Sequence, residues 1–293
     1  MPERVVAIGD IHGDCRALAR VLRLAGLMQD GHWSGGSDVL VQIGDVLDRG
    51  DEELKCMQLL ALLKREASES GGRVITLLGN HEVLNAAGVD YYASPLSAGN
   101  FGPGGRTAAF RPGAKFAAEL ATWPVACVVG DTAFVHAGLT EDSARVLDEA
   151  NAAAARWLLG QGPPSGLPPA LLWPSSASSL RSPLWMRDLS SPPDVQPSSA
   201  ACAELDRALS TLGVRRLVIG HTVQSRINGA CRAADAADHG ESTVWRIDVG
   251  LSSAMASGTP QALEIARGGR IRVLTGVKGD LRLDAQQEQD AWK

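Results

Sequence analysis

Short apolar runs that end at glycine mark out the first third of the chain. Residues 5–8, 39–43 and 74–78 are rich in Val, Ile and Leu, and each is followed by Gly. Runs of this length and composition are typical of buried β-strands. Between them, apolar residues recur at helical spacing, as at Leu18, Val21 and Leu22, which predicts amphipathic helices. The order strand, helix, strand predicts right-handed βαβ units and therefore a parallel sheet.

The second half of the chain continues the alternation of strands and helices. Residues 125–129 and 132–135 predict a hairpin that turns at Gly130 and Asp131. Further strands are predicted at 216–219 and 243–248, a closing pair at 261–266 and 270–274, and helices at 114–123, 141–159 and 200–212. We therefore expect one α/β catalytic domain over residues 1–275, followed by a polar tail at 276–293.

Two stretches lack periodicity and are predicted as insertions in this domain. Residues 88–112 are rich in Gly, Ser and Tyr, and residues 160–199 are rich in Pro and Ser. Long irregular segments next to a site are more often a functional rim or lid than a connector. We expect substrate selection in the first stretch and in the loops around Trp185.

Composition narrows the class of protein. The formal net charge of -5 over 293 residues gives no broad cationic surface, so nucleic acid is not an expected partner. No apolar run approaches the roughly 20 residues of a membrane-spanning helix, and the first residues lack a signal or transit pattern. The expectation is a cytoplasmic protein, or an organellar one if a presequence has been removed, without a membrane partner.

The five cysteines are odd in number and contain no C-x-x-C pair. This pattern fits neither a secreted disulfide framework nor a zinc knuckle. It predicts that most of the cysteines are small core residues, with a regulatory thiol as the alternative.

Polar residues are concentrated where the predicted strands end. The chain reads Gly-Asp-Ile-His-Gly at 9–13, Gly-Asp-Val-Leu-Asp-Arg-Gly at 44–50 and Gly-Asn-His-Glu at 79–82. Taken alone, Asp45, Asp48 and Arg49 are typical of a solvated turn. However, the carboxyl ends of parallel strands meet at one edge of a sheet, where open α/β sheets bind ligands. These groups are costly to crowd together unless they are paired or face a metal or an anion.

Four of the six histidines, His12, His81, His136 and His221, also follow apolar runs. Any one of them alone is at least as typical of a structural histidine as of a ligand, but four at ordered strand ends indicate a site. Imidazole, carboxylate and amide oxygen together suit Mn, Fe, Zn or Ni. The candidate ligands are Asp10, His12, Asp45, Asn80, His136 and His221. One carboxylate bridging two ions would set them roughly 3.5 to 4 Å apart.

The ordered set of these motifs, with His-Ala-Gly at 136–138 and Gly-His-Thr at 220–222, resembles the metallophosphoesterases. The Asp-Arg-Gly and Asn-His-Glu elements resemble the phosphoprotein phosphatase family within them, and residues 44–82 are similar to its Shewanella-like branch. The resemblance implies a calcineurin-like metallophosphoesterase fold of class α/β. In that fold a central β-sandwich is flanked by helices in four layers (αββα).

The resemblance also implies roles for the matching positions. Asp10, His12 and Asp45 would hold one metal ion, and Asp45 would bridge to a second ion. Asn80, His136 and His221 would complete the second site. The cofactor would be two divalent or trivalent metal ions, manganese first, with iron or zinc as alternatives.

The resemblance implies catalytic roles as well. His81 would protonate the leaving oxygen, and Asp48 would hold its imidazole. Arg49 and Arg187 would grip phosphate oxygens, although Arg187 alone is also typical of a surface ion pair. The reaction would be hydrolysis of phosphate monoesters on Ser, Thr or Tyr of a phosphoprotein, by in-line attack of a hydroxide that bridges the metals.

Two other functions stay open at this point. A small-molecule phosphoesterase, such as a dinucleoside tetraphosphate hydrolase, shares these motifs, but it would want a nucleobase platform and the chain has only 4% aromatic residues. A non-enzymatic metal-binding scaffold would fit if a ligand or His81 were replaced, and none is. The chain also departs from eukaryotic Ser/Thr phosphatases, whose Ser-Ala-Pro-Asn-Tyr loop is replaced by residues 248–253. The inhibitor contacts of that loop do not carry over.

Overall fold

The computed structural model describes residues 2–102, 104–163, 166–174, 181–232 and 242–276, so nearly all of the predicted tail lies outside them. The described strands are β1 Arg4–Ile8, β2 Met28–Gln29, β3 His32–Trp33, β4 Val39–Gln42, β5 Arg73–Thr76, β6 Ala126–Val129, β7 Thr132–Val135, β8 Arg216–Ile219, β9 Asn228–Arg232, β10 Ser242–Arg246, β11 Gln261–Ala266 and β12 Ile271–Thr275. The described helices are α1 Cys15–Leu24, α2 Glu53–Glu69, α3 Asn80–Ala86, α4 Gly105–Phe110, α5 Lys115–Leu120, α6 Glu141–Arg145, α7 Leu147–Arg156 and α8 Ser199–Leu212.

The first sheet has the strand order β12-β11-β1-β4-β5. Strands β1, β4 and β5 are parallel, with Val5 opposite Val39 and Val39 opposite Arg73. Helix α1 connects β1 to β4 and α2 connects β4 to β5, so the predicted βαβ units are confirmed. The ends of these three strands therefore lie on one edge of the sheet.

The second sheet has the order β6-β7-β8-β10-β9. Strands β7, β8 and β10 are parallel, while β6 and β9 pair antiparallel at its two edges. The hairpin predicted across Gly130 is β6 and β7. Because β7, β8 and β10 run in the same direction, the residues after them also share one edge.

Alternate residues of the second sheet face two different apolar cores. Phe134 and Val218 pack into the core that also contains the first sheet, α1 and α2. Their neighbours Ala133 and Leu217 pack instead against residues of α6 and α8, among them Leu205. The order of layers is therefore helices, sheet, sheet, helices. The predicted αββα sandwich is confirmed.

The structure differs from the sequence prediction in several elements. The stretch 88–112, predicted to be irregular, contains a 3₁₀ turn and α4. Strand β9 and the short β2–β3 hairpin were not predicted, and the helix predicted at 141–159 is broken at Val146 into α6 and α7. Within the described ranges, no helix combines the length and the apolar character needed to cross a membrane.

The cysteine prediction is wrong for one pair. Cys202 of α8 and Cys231 of β9 form a disulfide with Cα atoms 5.5 Å apart. Cys15 and Cys56 are buried free thiols, as predicted, and Cys127 is half-buried. The pairing joins positions 29 residues apart, and its partner strand β9 gave no signal in the sequence.

Candidate metal centre and active site

The motifs at the strand ends need glycine because carboxylates approach the backbone there. A Cβ atom on Gly79 would lie 2.1 Å from Asp45 Oδ1, and one on Gly220 would lie 2.3 Å from Asp10 Oδ1. Both distances are far below a van der Waals contact. These two glycines therefore let carboxylates from the first sheet lie against loops that carry Asn80 and His221.

Five of the ten predicted site residues have a left-handed backbone conformation. Their φ values are 45° for His12, 52° for Asp45, 68° for Asp48, 71° for Arg49 and 65° for His221. Non-glycine residues seldom adopt this region, and where they do the surrounding fold must impose it. Each of these residues lies in a loop at the end of a parallel strand or in the segment that follows it, so the sharp turns aim the side chains at one another.

Hydrogen bonds fix the orientation of two histidine rings. His12 Nδ1 lies 3.0 Å from the Leu47 carbonyl oxygen, and His136 Nδ1 lies 2.9 Å from the Ile43 carbonyl oxygen. A carbonyl oxygen can only accept, so Nδ1 carries the proton in both rings. The Nε2 atoms of the two rings face Asp45, at 3.7 Å for His12 and 3.3 Å for His136. This is how metal-binding imidazoles are held in proteins.

Two groups of donor atoms converge, and Asp45 belongs to both. The donors of His12, Asp45 and His81 lie within 4.8 Å of one another, and so do those of Asp45, His136 and His221. His136 Nε2 is also 2.9 Å from Asn80 Oδ1 and 3.2 Å from His221 Nδ1. The shared carboxylate lies where a bridging ligand was expected.

Asp10 lies beside these groups without being part of either tight cluster. Its carboxylate accepts the backbone N–H of His221 at 3.2 Å. Burial and the nearby Asp248 raise the pKa of Asp10 well above its usual value, and burial raises the pKa of Asp248 to about 6. Burial contributes most to the raised pKa of Asp10 and the neighbouring carboxylates add to it, so a bound cation would favour the ionised form.

The charges around Asp45 have the opposite effect. Burial disfavours its ionised form, but His136, His81 and His12 together lower the pKa of Asp45 well below its usual value. Burial also disfavours protonated His136, yet Asp45 and Asp10 raise its pKa to about 10. Carboxylates and imidazoles here depend on each other for charge balance. The donor set and its charge fit two metal cations, as the sequence predicted.

His81 points into the site from the start of α3 and is held by a buried polar network. Its Nδ1 lies 2.6 Å from Asp48 Oδ2 and its Nε2 lies 3.9 Å from Asp45 Oδ2. The other Asp48 oxygen accepts from Asn85 Nδ2 at 3.0 Å and from Arg106 Nη2 at 2.8 Å. The pairing of His81 with Asp48 is the one expected from the sequence.

Arg106 is a residue of this network that the sequence did not predict. It comes from α4 in the stretch predicted to be irregular, it is 4% exposed, and it pairs with Glu53 of α2 as well as with Asp48. Its guanidinium also lies over Phe101, 5.0 Å from the ring centre. The segment 88–112 therefore contributes a buried arginine that supports the site. Part of the segment that was predicted to form a rim is packed in the interior instead.

Glu82 is a second residue that the sequence did not single out, although it belongs to the Gly-Asn-His-Glu motif. Its fully buried carboxylate accepts four backbone N–H groups, from Asp45 at 2.9 Å, Val46 at 2.9 Å, Leu47 at 3.0 Å and Gly79 at 2.7 Å. Each donor is an amide that the sharp loop after β4 or β5 would otherwise leave unpaired. Glu82 thus fixes the loop that carries Asp45.

Two exposed arginines flank the buried centre. Arg49 lies over the Tyr92 ring, 4.4 Å from its centre, and its backbone N–H donates to the Tyr92 carbonyl oxygen at 2.9 Å. Arg187 donates to Thr222 Oγ1 at 2.7 Å and to the His221 carbonyl oxygen at 3.1 Å. Among the described residues, no acceptor pairs with the Arg49 guanidinium and Arg187 donates only through Nη1, so both keep donors for an anion. Arg187 is anchored to the loop of His221.

The structure thus brings the predicted residues together from both sheets. It adds a buried carboxylate, Asp248, at the end of the predicted strand 243–248, where the strand-end rule would have found it. Arg106 carried no comparable signal, because nothing in a Gly-rich segment without periodicity marks one arginine as buried.

Comparison with known proteins agrees with this arrangement. Residues 3–225 match the family model described as calcineurin-like phosphoesterase. The chain is 34% identical to Shewanella-like protein phosphatase 2 of Arabidopsis thaliana, over 94% of this chain and 78% of that protein. It also shares 42% identity with Shewanella-like protein phosphatase 1 of Plasmodium berghei, over 31% of this chain and 26% of that protein.

A solved structure shares the fold. The cold-active protein-tyrosine phosphatase of a psychrophilic Shewanella superposes with a TM-score of 0.68 at 22% identity, covering 94% of this chain and 81% of that one. The motifs, the family model and the Arabidopsis relative agree. The chain therefore belongs to the calcineurin-like phosphoesterases and, within them, to the Shewanella-like protein phosphatases.

Proposed function

We propose that this protein is a metal-dependent phosphoprotein phosphatase that hydrolyses phosphate monoesters on side chains of proteins. The observation that carries the proposal is His81, whose Nδ1 is held by Asp48 at 2.6 Å while its Nε2 faces the shared Asp45 carboxylate at 3.9 Å. Cleavage of a phosphate ester needs a proton donor held in a fixed orientation beside a pair of metal ions. His81 next to the two groups of donor atoms that share Asp45 provides this arrangement.

His81 supplies the proton to the leaving group. Burial opposes the charge on this ring, but Asp45 and Asp48 raise its pKa above the usual value. The imidazolium form therefore persists toward neutral pH. It donates the Nε2 proton to the departing alcohol or phenol oxygen, while Nδ1–H stays bonded to Asp48 and keeps the ring in place.

The metal ions would be held by the ligands predicted from the sequence, with Asp10, His12 and Asp45 on one ion and Asp45, Asn80, His136 and His221 on the other. When bound, such a pair lowers the pKa of water and neutralises charge on phosphoryl oxygens. We propose manganese first and iron or zinc as alternatives, because imidazole, carboxylate and amide donors suit all three.

Arg49 and Arg187 would bind the non-bridging phosphate oxygens. A planar guanidinium pairs with two oxygens at once, which fixes the orientation of the phosphate as well as attracting it. Arg49 is held at Tyr92, whose ring contacts His81, and Arg187 is held at Thr222, next to His221. The leaving oxygen would then face His81.

Protein substrates are favoured by the relatives, which are named protein phosphatases. The test is a comparison of phosphotyrosine, phosphothreonine and phosphoserine peptides with diadenosine tetraphosphate, with and without added Mn²⁺. Faster turnover of phosphopeptides that depends on metal supports the proposal. Faster hydrolysis of the dinucleotide would assign the site to small molecules, and no turnover of p-nitrophenyl phosphate with any metal would exclude an enzyme.

A further inference from the structure

A cleft of about 660 Å³ opens directly beside the candidate centre. It lies between the start of α1, the loop after β4 and the segment at Ser253. Its floor is made by the loops that carry the site, since the Gly50 N–H donates to the His12 carbonyl oxygen at 3.0 Å and the Glu52 N–H donates to the Gly13 carbonyl oxygen at 2.9 Å. A peptide bound at the centre would therefore have this cleft next to it.

Three arginines line the cleft: Arg16, Arg20 and Arg49. Arg16 and Arg20 are four residues apart on α1, so they share one face of the helix. In the part of the chain that the structure describes, neither side chain takes part in an ion pair or a hydrogen bond, and the Arg20 Nε atom is buried without a partner. Buried guanidinium donors are ordinarily paired. Here no acceptor among the described residues competes with a ligand for the Arg20 side chain.

The acidic residues of the cleft are engaged elsewhere. Asp14 caps α1, accepting the Ala17 N–H at 2.8 Å, and its other oxygen accepts the Ser253 N–H at 2.8 Å. Asp51 accepts the Ser94 hydroxyl, and Glu52 pairs with Lys55 at 2.7 Å. None of the three pairs with Arg16 or Arg20, so both guanidinium groups remain available to an anion from outside.

We propose that this arginine cleft binds a second anionic side chain of the phosphopeptide, one that lies close in sequence to the residue being dephosphorylated. The anion is a carboxylate or another phosphate, since both match the fork of a guanidinium. The inference rests on the proposed function and specifies its substrate class. Arg49 lines the cleft and also lies beside the candidate metal centre. The second anion and the scissile phosphate would therefore lie on neighbouring parts of one peptide.

The test compares kcat/KM for a series of phosphopeptides that differ in one neighbouring residue. That residue is Ala, Asp or phosphoserine, and it is moved stepwise along the peptide on both sides of the scissile phosphate. The wild-type protein should prefer the best acidic peptide over its Ala counterpart by about tenfold. The Asp and phosphoserine arms distinguish a carboxylate from a phosphate as the preferred anion.

The variant Arg16→Gln/Arg20→Gln should bring this ratio close to one. Arg23→Gln is the matched control, because Arg23 lies in the last turn of the same helix and does not line the cleft, so the preference should persist. The reversed variant Arg16→Glu/Arg20→Glu should favour peptides with Lys at the same position. This gain of a new preference cannot come from misfolding.

Equal rates for acidic and neutral peptides in the wild type would overturn the inference while leaving the proposed function intact. A preference that survives in Arg16→Gln/Arg20→Gln would overturn it as well. Turnover of p-nitrophenyl phosphate without turnover of any phosphopeptide would instead overturn the proposed function, and the inference with it.

Discussion

Replacement of Arg106 tests whether the segment 88–112 supports the site from within. In Arg106→Met, the buried carboxylates of Asp48 and Glu53, both 0% exposed, lose the guanidinium that neutralises them. Removing one partner of a buried ion pair costs about 3 to 5 kcal/mol of unfolding free energy. That is a large part of the about 5 to 15 kcal/mol that holds a typical domain folded.

The catalytic effect should appear in kcat more than in KM. Arg106 binds the Asp48 oxygen that does not hold His81, so its loss lets Asp48 turn and leaves the imidazole poorly placed. A displaced catalytic group typically costs up to about 10²-fold in rate. Arg106→Lys keeps the positive charge but loses the planar guanidinium that pairs with two carboxylates at once. This variant should therefore fall between the wild type and Arg106→Met in both stability and kcat.

The assay combines urea unfolding with steady-state kinetics on p-nitrophenyl phosphate. Arg111→Met is the control, because Arg111 is an exposed residue just beyond the same helix and should change the unfolding free energy by less than about 0.5 kcal/mol. A double-mutant cycle of Arg106→Met with Glu53→Gln should show a smaller loss than the sum of the single changes. Stability and kcat of Arg106→Met equal to those of the control would refute the supporting role.

Four further predictions concern the centre itself. His81→Asn should lower kcat by about 10² to 10⁴-fold with bound metal unchanged by elemental analysis; a matching loss of metal would show that His81 is a ligand and not the acid. Asp45→Asn should deplete both metal positions, and full occupancy would argue against a bridge. Gly79→Ala should abolish activity because its Cβ would meet Asp45 Oδ1 at 2.1 Å, whereas Gly99→Ala, with open space around it, should be active. Arg187→Lys should raise KM for phosphopeptides by several-fold with metal content intact, and an unchanged KM would assign Arg187 to a structural role.

Local patterns were sufficient to predict the strands that build the centre. Apolar runs ending at glycine located β1, β4, β5 and β8, and the predicted hairpin located β7. The rule for parallel strands then placed the ends of neighbouring strands on one edge within each sheet. The edge strand β9 was not predicted from the sequence, because it contains Gly229, Cys231 and the polar Asn228. It is a strand because it pairs with β10. Its disulfide with α8 was missed for the same reason.

The supporting residues were less predictable than the ligands. A ligand lies next to a strand end, so its position follows from a local motif. Arg106 is instead fixed by Glu53, 53 positions earlier, and by rings of two phenylalanines in its own segment. Such contacts exist only after the segment has folded over α2, and a chain without periodicity gives no sign of them.

The cage takes its donors from both sheets, and this has a consequence for assembly. Asp10 and His221 are 211 positions apart, so the ligands come together only when the two halves of the sandwich have joined. A metal ion that binds this state and not the unfolded chain acts as a removable cross-link between the layers. At a free concentration of 100 times its Kd it would add about 2.7 kcal/mol to the free energy of unfolding. Metal supply would then govern how long the protein survives, as well as how fast it works.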